Sequence, residues 1–80
     1  MEQEKNEIAQ LRAARGLVGF SQEDLAKAAC VSTMTVKRAE GSGSPYPAEK
    51  ALLAIRAALE AAGVEFIAEN GGGPGVRLKK

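Results

Sequence analysis

Apolar side chains recur every three or four residues in two stretches of the chain, the spacing that places them on one face of an α-helix. The two stripes are Ile8, Leu11, Ala14 and Val18, and then Leu52, Ile55, Leu59 and Ala62. The first stripe predicts a helix from Glu4 to about Leu17, after which glycine weakens helical structure. The second stripe predicts a helix that carries Pro47 in its first turn and stops at Gly63.

Two further helices are predicted between these stripes from residues that favour helix starts. Ser21 is followed three residues later by Asp24, an approximate capping box, and begins a helix that runs to about Ala29. A tight turn follows, and Ser32 then caps a helix that extends to about Glu40. Residues 1–63 therefore predict four helices.

The period of the pattern changes from 3.6 residues to two after Gly63. The alternating apolar residues are Val64, Phe66 and Ala68, and then Val76 and Leu78. This period predicts two β-strands, and the glycine-rich stretch Asn70–Gly75 between them predicts the turn of a hairpin. We therefore expect a mainly α fold, with a compact four-helix unit over residues 1–63 and a C-terminal β-hairpin over residues 64–80. Because an isolated hairpin is barely stable in water, this one must lie against the helices or pair with another chain.

Charge is unevenly distributed along a chain whose net charge is only +1. Residues 1–26 carry a balance of −2, residues 27–56 a balance of +3, and residues 57–80 a balance of zero. A positive middle segment is compatible with phosphate binding.

The residue types that the chain lacks narrow the possible functions. It has no histidine and a single cysteine, Cys30, so a disulfide within the chain is impossible and neither a zinc site nor an enzyme is expected. No cofactor or small-molecule ligand is expected. No apolar run approaches the ~20 residues of a membrane span, and the N-terminus is polar rather than signal-like. We expect a cytoplasmic protein.

The two central helices can cross steeply only if the sides that face each other are small and apolar. The apolar residues of this segment are Leu25, Ala26, Ala29, Val31, Val36 and Ala39. A large side chain at Ala26 would push the helices apart, and the stiff, β-branched Val36 suits a fixed contact between them. The remaining side chains of the second helix are polar, basic or flexible, and we expect them to point outward.

This arrangement resembles the DNA-binding domain of lambda-repressor-like regulators, the Xre or Cro type. The specific match is Ser-Gln-x-x-Leu-Ala at Ser21–Ala26, then Val-Ser-x-x-Thr-Val at Val31–Val36, followed by Glu40. The resemblance extends from about Ile8 to Leu59. One position departs from it: Cys30 stands where the family usually has glycine, at a turn residue whose backbone tends to be left-handed.

The resemblance implies a role for each matching residue. The helix over residues 32–40 would enter the major groove of a duplex, with base-reading side chains Thr33, Met34, Lys37 and Arg38. The side chains expected at DNA phosphates are Ser21, Gln22, Ser32, Thr35, Ser44 and Tyr46. The backbone N–H groups at both helix starts suit phosphates as well. Arg15 and Glu40 match the ion pair between helices that the family uses for structure.

These residues also have simpler interpretations. Lys37 and Arg38 could form an ordinary solvated helix face, and Lys27, Lys50 and Arg56 could be phosphate contacts or solubilising charges. For Cys30 we expect a buried structural thiol rather than a redox sensor. The hydroxyl of Tyr46 could contact a phosphate, or the ring could cover the core.

The function that the resemblance implies is a sequence-specific regulator of transcription, of bacterial or phage type and a repressor, which associates with the nucleoid. It would bind an operator as a homodimer, with the fourth helix and the hairpin supplying the contact between two copies. Two other classes remain open. One is a protein-interaction adaptor or antitoxin-like subunit, which the near-neutral charge favours, and the other is an architectural DNA-binding protein with little sequence preference.

Overall fold

The computed structural model describes residues 2–67 and 75–79, with side chains from residue 7 onward. It confirms a mainly helical fold with a C-terminal antiparallel hairpin. The elements are α1 (Glu2–Val18), α2 (Gln22–Ala29), α3 (Thr33–Ala39), α4 (Glu49–Ala61), β1 (Val64–Ile67) and β2 (Gly75–Leu78). The predicted turn of the hairpin falls almost entirely on residues outside the described ranges.

The starts of α2 and α3 follow the predicted capping. The hydroxyl of Ser21 accepts the Asp24 N–H at 2.9 Å, and the Asp24 carboxylate accepts the Ser21 N–H at 3.0 Å. The hydrogen bond that the Asp24 carboxylate accepts from the Ser21 backbone lowers the pKa of Asp24 most. Hydrogen bonding of the carboxylate to the Ser21 side chain lowers this pKa further below its ordinary value. Ser32 accepts the Thr35 N–H at 3.1 Å in the same way. Both N-caps are therefore fixed by local sequence.

The start of α4 differs from the prediction. Pro47 does not lie in the first turn, because the N-cap is Ala48 and the helix begins at Glu49. Ala48 has an extended backbone and provides no side-chain cap. Its methyl group cannot accept the free N–H groups that Ser21 and Ser32 satisfy in the other helices.

Left-handed residues close the first three helices. Gly19, Cys30 and Gly41 have φ angles of 72°, 58° and 94°. After each of them the chain folds back, so that Val31 N–H, for example, donates to the Ala26 carbonyl at 3.0 Å. The left-handed backbone expected at Cys30 is present in a residue that carries a Cβ. The expectation of a buried thiol is wrong, because Cys30 is exposed. Cys30 follows the last residue of α2 and lies outside the buried set Leu25, Ala26 and Ala29 through which this helix packs.

The core lies where the four helices and the hairpin meet. Its buried apolar residues are Leu11, Ala14, Leu25, Ala26, Ala29, Val36, Ala39, Leu52, Ile55, Leu59 and Val64. Ala26 and Val36 are buried at the packed faces of α2 and α3, as their sizes predict. These two helices are joined by only three residues, Cys30 to Ser32, so α3 is held firmly against α2.

The hairpin packs against the helices. Val64 pairs with Leu78 and Phe66 with Val76, which puts these four residues on one face of the ladder. Val64 is buried in the common core, and Phe66 and Val76 pack against it. The Arg56 guanidinium of α4 lies 4.5 Å from the centre of the Phe66 ring. The hairpin is therefore part of the hydrophobic core that α1 and α4 also form.

Candidate nucleic-acid interface

The outward side of α3 carries the four candidate base-reading residues. Val36 and Ala39 turn into the core, so the opposite side of this short helix faces solvent. Met34 is 51% exposed and Lys37 is exposed, while Thr33 and Arg38 are half-buried. The α3–α4 loop lies beside this face, because the Cγ of Arg38 is 3.9 Å from the point that a Cβ on Gly43 would occupy.

The charge and bonding of this face suit a ligand rich in hydrogen-bond acceptors. α3 has no acidic residue in its first turn and has Lys37 and Arg38 in its last turn. Among the described residues, the side chains of Thr33, Lys37 and Arg38 make no hydrogen bond or ion pair. Their donors are therefore available, and an Arg guanidinium can bond two acceptors at once.

The hydroxyls of Ser32 and Thr35 are coupled at the start of α3. Their oxygens are 2.9 Å apart, and either can be the donor. The hydrogen bond between them uses one of the two hydroxyl protons, so the other remains available for an outside acceptor. A single phosphate oxygen can therefore be bound here without loss of the cap.

The start of α2 is more acidic than the sequence motif suggests. Glu23 and Asp24 both lie in its first turn. The hydroxyl of Ser21 is exposed but already accepts the Asp24 N–H. The side chains of Glu23 and Asp24 carry negative charge, so the N–H donors that this end of the helix offers to a phosphate are those of the neutral Gln22 side chain.

The ion pair between Arg15 and Glu40 is present. Arg15 Nε is 2.6 Å from Glu40 Oε2, and Arg15 Nη2 donates to Glu40 Oε1 at 3.1 Å. A third nitrogen, Nη1, donates to the Phe20 carbonyl at 2.9 Å. Because Glu40 caps the end of α3, the pair joins α1 to the end of the candidate recognition helix.

Gln22 also donates to Glu40, a contact that was not predicted from the sequence. Its Nε2 is 3.1 Å from Glu40 Oε1, the oxygen that also accepts Arg15 Nη2. The two residues are 18 positions apart, so no local spacing rule brings them together. The sequence held one signal that could have indicated this contact, which is an acidic residue at a helix C-terminus. Negative charge is unfavourable there unless cations or hydrogen-bond donors surround it.

The last two candidate phosphate contacts lie in the α3–α4 loop and differ from each other. Ser44 is exposed. Tyr46 is half-buried, its ring packs against the core, and its hydroxyl donates to Glu7 Oε1 at 3.0 Å. Tyr46 could contact a phosphate or cover the core, and its arrangement matches a ring that covers the core.

Neither a metal-binding cluster nor a membrane-spanning helix is found in the part of the chain that the structure describes. Across residues 2–67 and 75–79, no group of three or more His, Cys, Asp or Glu residues is placed to hold a metal ion. No helix in these ranges has the length and apolar character needed to cross a membrane. The chain matches no protein-family model and none of the curated proteins.

Proposed function

We propose that this protein is a sequence-specific DNA-binding regulator that represses transcription, with α3 as the helix that enters the major groove. The observation that carries the proposal is the outward face of α3. This face presents Thr33, Met34, Lys37 and Arg38, and the polar groups among them have no partner in the described residues. The helix is held in place by the buried Val36 and by the ion pair of Glu40 at its end. Such a helix fits the width of the major groove of a DNA duplex.

Each reading side chain has a contact suited to its chemistry. Arg38 donates two hydrogen bonds to O6 and N7 of a guanine, and the thioether of Met34 packs on a thymine methyl group. Thr33 and Lys37 donate to acceptors on neighbouring bases. Four side chains define few base pairs, so useful specificity requires two copies on two half-sites.

Phosphate contacts hold the domain in register on the duplex. A donor for a phosphate oxygen is present on Gln22, on the coupled hydroxyls of Ser32 and Thr35, and on Ser44. Ser21 is exposed beside Gln22, where it would contact a phosphate as well. Tyr46 contributes only if its proton leaves Glu7, because a hydroxyl has a single proton to donate.

The proposal includes a homodimer built from α4 and the hairpin, acting on DNA in the nucleoid. Two large apolar residues are exposed on these elements, Leu53 at 59% on α4 and Leu78 at 44% on β2. We expect Leu78→Asp to lower the mass measured by light scattering from two chains to one, because a buried charge opposes association. Leu53→Asp tests α4 in the same way, and a dimer that survives both changes contradicts the proposed contact.

The test of the function is selection of duplexes from a random-sequence library with the purified protein. Affinity is then measured for a selected and a scrambled duplex at several salt concentrations. A specific regulator loses affinity steeply with salt but keeps a large preference for the selected duplex. An architectural protein shows the salt dependence without the preference. A protein-interaction adaptor binds neither duplex, and either of these results refutes the proposal.

A further inference from the structure

We infer that Glu40 is a positioning residue for DNA binding, which acts through the side chain of Gln22. This inference rests on the proposed function and assigns Glu40 a role beyond its ion pair with Arg15. Glu40 Oε1 accepts both Arg15 Nη2 and Gln22 Nε2, each at 3.1 Å. One carboxylate thus joins α1, the start of α2 and the end of α3.

The chemistry of the contact fixes the orientation of the Gln22 amide. A glutamine side chain has an N–H₂ end that donates and an oxygen that only accepts. A carboxylate only accepts, so the N–H₂ end must face Glu40. One N–H of this group is used by Glu40, and the second N–H is directed elsewhere by the planar geometry of the amide.

Burial makes this orientation stable. The Glu40 side chain is 4% exposed, so water competes little for its oxygens. Arg15 holds the other oxygen at 2.6 Å, which prevents the carboxylate from rotating away from Gln22. Gln22 itself is half-buried, so part of this residue remains open to solvent and to a ligand.

The contact also joins the two parts of the proposed interface. Glu40 follows α3 directly, whereas Gln22 begins α2. A phosphate bound by the second N–H of Gln22 is therefore at a fixed distance from the reading side chains of α3. Since phosphate contacts set the register of a protein on DNA, Glu40 couples that register to base reading.

The experiment measures binding of the full chain to a selected and a scrambled duplex. Gln22→Met removes the proposed phosphate donor and should weaken binding to both duplexes about tenfold, the effect of one hydrogen bond to a charged oxygen. The salt dependence should stay unchanged, because a neutral amide releases no counterion. Gln10→Met is the matched control. Gln10 is also half-buried and donates to a carbonyl, that of Gly75 at 3.1 Å, but it lies on α1 beside the hairpin.

Glu40→Gln tests the positioning role. It should weaken binding about threefold in the wild-type background, since a neutral oxygen holds the Gln22 amide less firmly, and should add no loss in the Gln22→Met background. Binding is compared at a temperature where circular dichroism shows each variant to be folded. In NMR spectra the Gln22 side-chain amide proton that faces Glu40 should be shifted downfield, and in Glu40→Gln its shift should move back toward that of an exposed glutamine.

The possible results separate the two proposals. If the wild-type chain binds no duplex, the proposed function fails and this inference fails with it. If the wild type binds and Gln22→Met binds equally well, only the role of Gln22 and Glu40 is wrong. If the losses from the two substitutions multiply, Glu40 acts independently of Gln22 and the inference is again refuted.

Discussion

Two Arg–Glu ion pairs occupy different regions of the molecule, and their surroundings differ. Arg15–Glu40 joins α1 to the end of α3, with the Glu40 side chain 4% exposed. Arg77–Glu65 lies across the two strands of the hairpin, and its Glu65 side chain is 40% exposed. The Glu40 carboxylate has donors from both Arg15 and Gln22, whereas the contact from Arg77 to Glu65 is a single one at 2.9 Å.

The difference shows what burial does to the same pair of charged groups. At the hairpin surface, water solvates either residue if its partner is lost, so the pair contributes little. At α3, loss of one partner leaves a charge with far less access to water, because the Glu40 side chain is 4% exposed and that of Arg15 is 24% exposed. No buried side-chain nitrogen or oxygen in the described ranges lacks a hydrogen-bond partner, and this includes the buried atoms of the α3 pair. We therefore expect the region around α3 to depend on its ion pair and the hairpin to tolerate loss of its own.

The largest expected effect is the loss of Glu40. Glu40→Ala leaves Arg15 and Gln22 without their acceptor, and we expect a loss of about 3 kcal/mol in the free energy of unfolding. The low end of the usual range applies because Arg15 is still 24% exposed. The midpoint of urea unfolding measures this change. Glu65→Ala is the matched control, and equal midpoints for the two variants would refute the contrast between the regions.

The next effect separates binding from stability within the α3 region. Arg38→Ala removes a half-buried side chain with no ion pair among the described residues, so the unfolding midpoint should barely change. Its affinity for a selected duplex should fall by about 1–3 kcal/mol, with preference relaxed at one base pair. An equal loss on all sequences would make Arg38 a phosphate contact. A large loss of stability would instead show that α3 depends on Arg38 as well as on Glu40.

A smaller effect concerns the turn that connects α2 to α3. Cys30 has a φ of 58°, whereas Gly19 and Gly41 occupy the corresponding left-handed positions after α1 and α3. Cys30→Gly should stabilise the fold by about 0.5 kcal/mol, since relief of the strain on Cβ exceeds the added entropy of the unfolded chain. Cys30→Ala keeps a Cβ and should give no such gain. A destabilised glycine variant would mean that the cysteine side chain contributes contacts of its own.

The sequence predicted the features that depend on neighbouring residues. The caps at Ser21 and Ser32 and the left-handed turn at Cys30 are local, and each was found. The start of α4 was placed two residues early, because Pro47 fits a first turn but does not require one. The resemblance to a known family supplied the Arg15–Glu40 pair.

Contacts between distant residues were predicted less well. Gln22 reaches Glu40 only because the crossing of α2 and α3 brings their side chains together, and no spacing in the chain encodes that distance. The exposure of Cys30 was missed for a related reason. A thiol is usually buried, but Cys30 lies at the turn after α2, outside the residues through which that helix packs. The DNA-binding role stays a prediction from the family resemblance and the outward face of α3.

The smallest expected effect is the dependence of the hairpin pair on pH. The hydrogen bond from Arg77, and then its charge, hold the pKa of Glu65 below its ordinary value. The folded chain therefore binds this proton less readily than the unfolded chain, and the stabilisation is present above the unfolded pKa of about 4.3. It is lost as the pH falls through the lower, folded pKa. Thermal unfolding at neutral and acidic pH should show a slightly larger fall in Tm for the wild type than for Glu65→Gln.

Asp24, whose pKa is also lowered, contributes a fall of the same sign in both proteins, so the difference between them isolates Glu65. Both members of the hairpin pair are exposed, so added salt should screen the attraction of their charges and reduce the difference. A difference that did not fall at all at high salt would mean that the hairpin pair is shielded from solvent. The contrast between the two regions would then lie in how many donors each carboxylate has, rather than in its exposure.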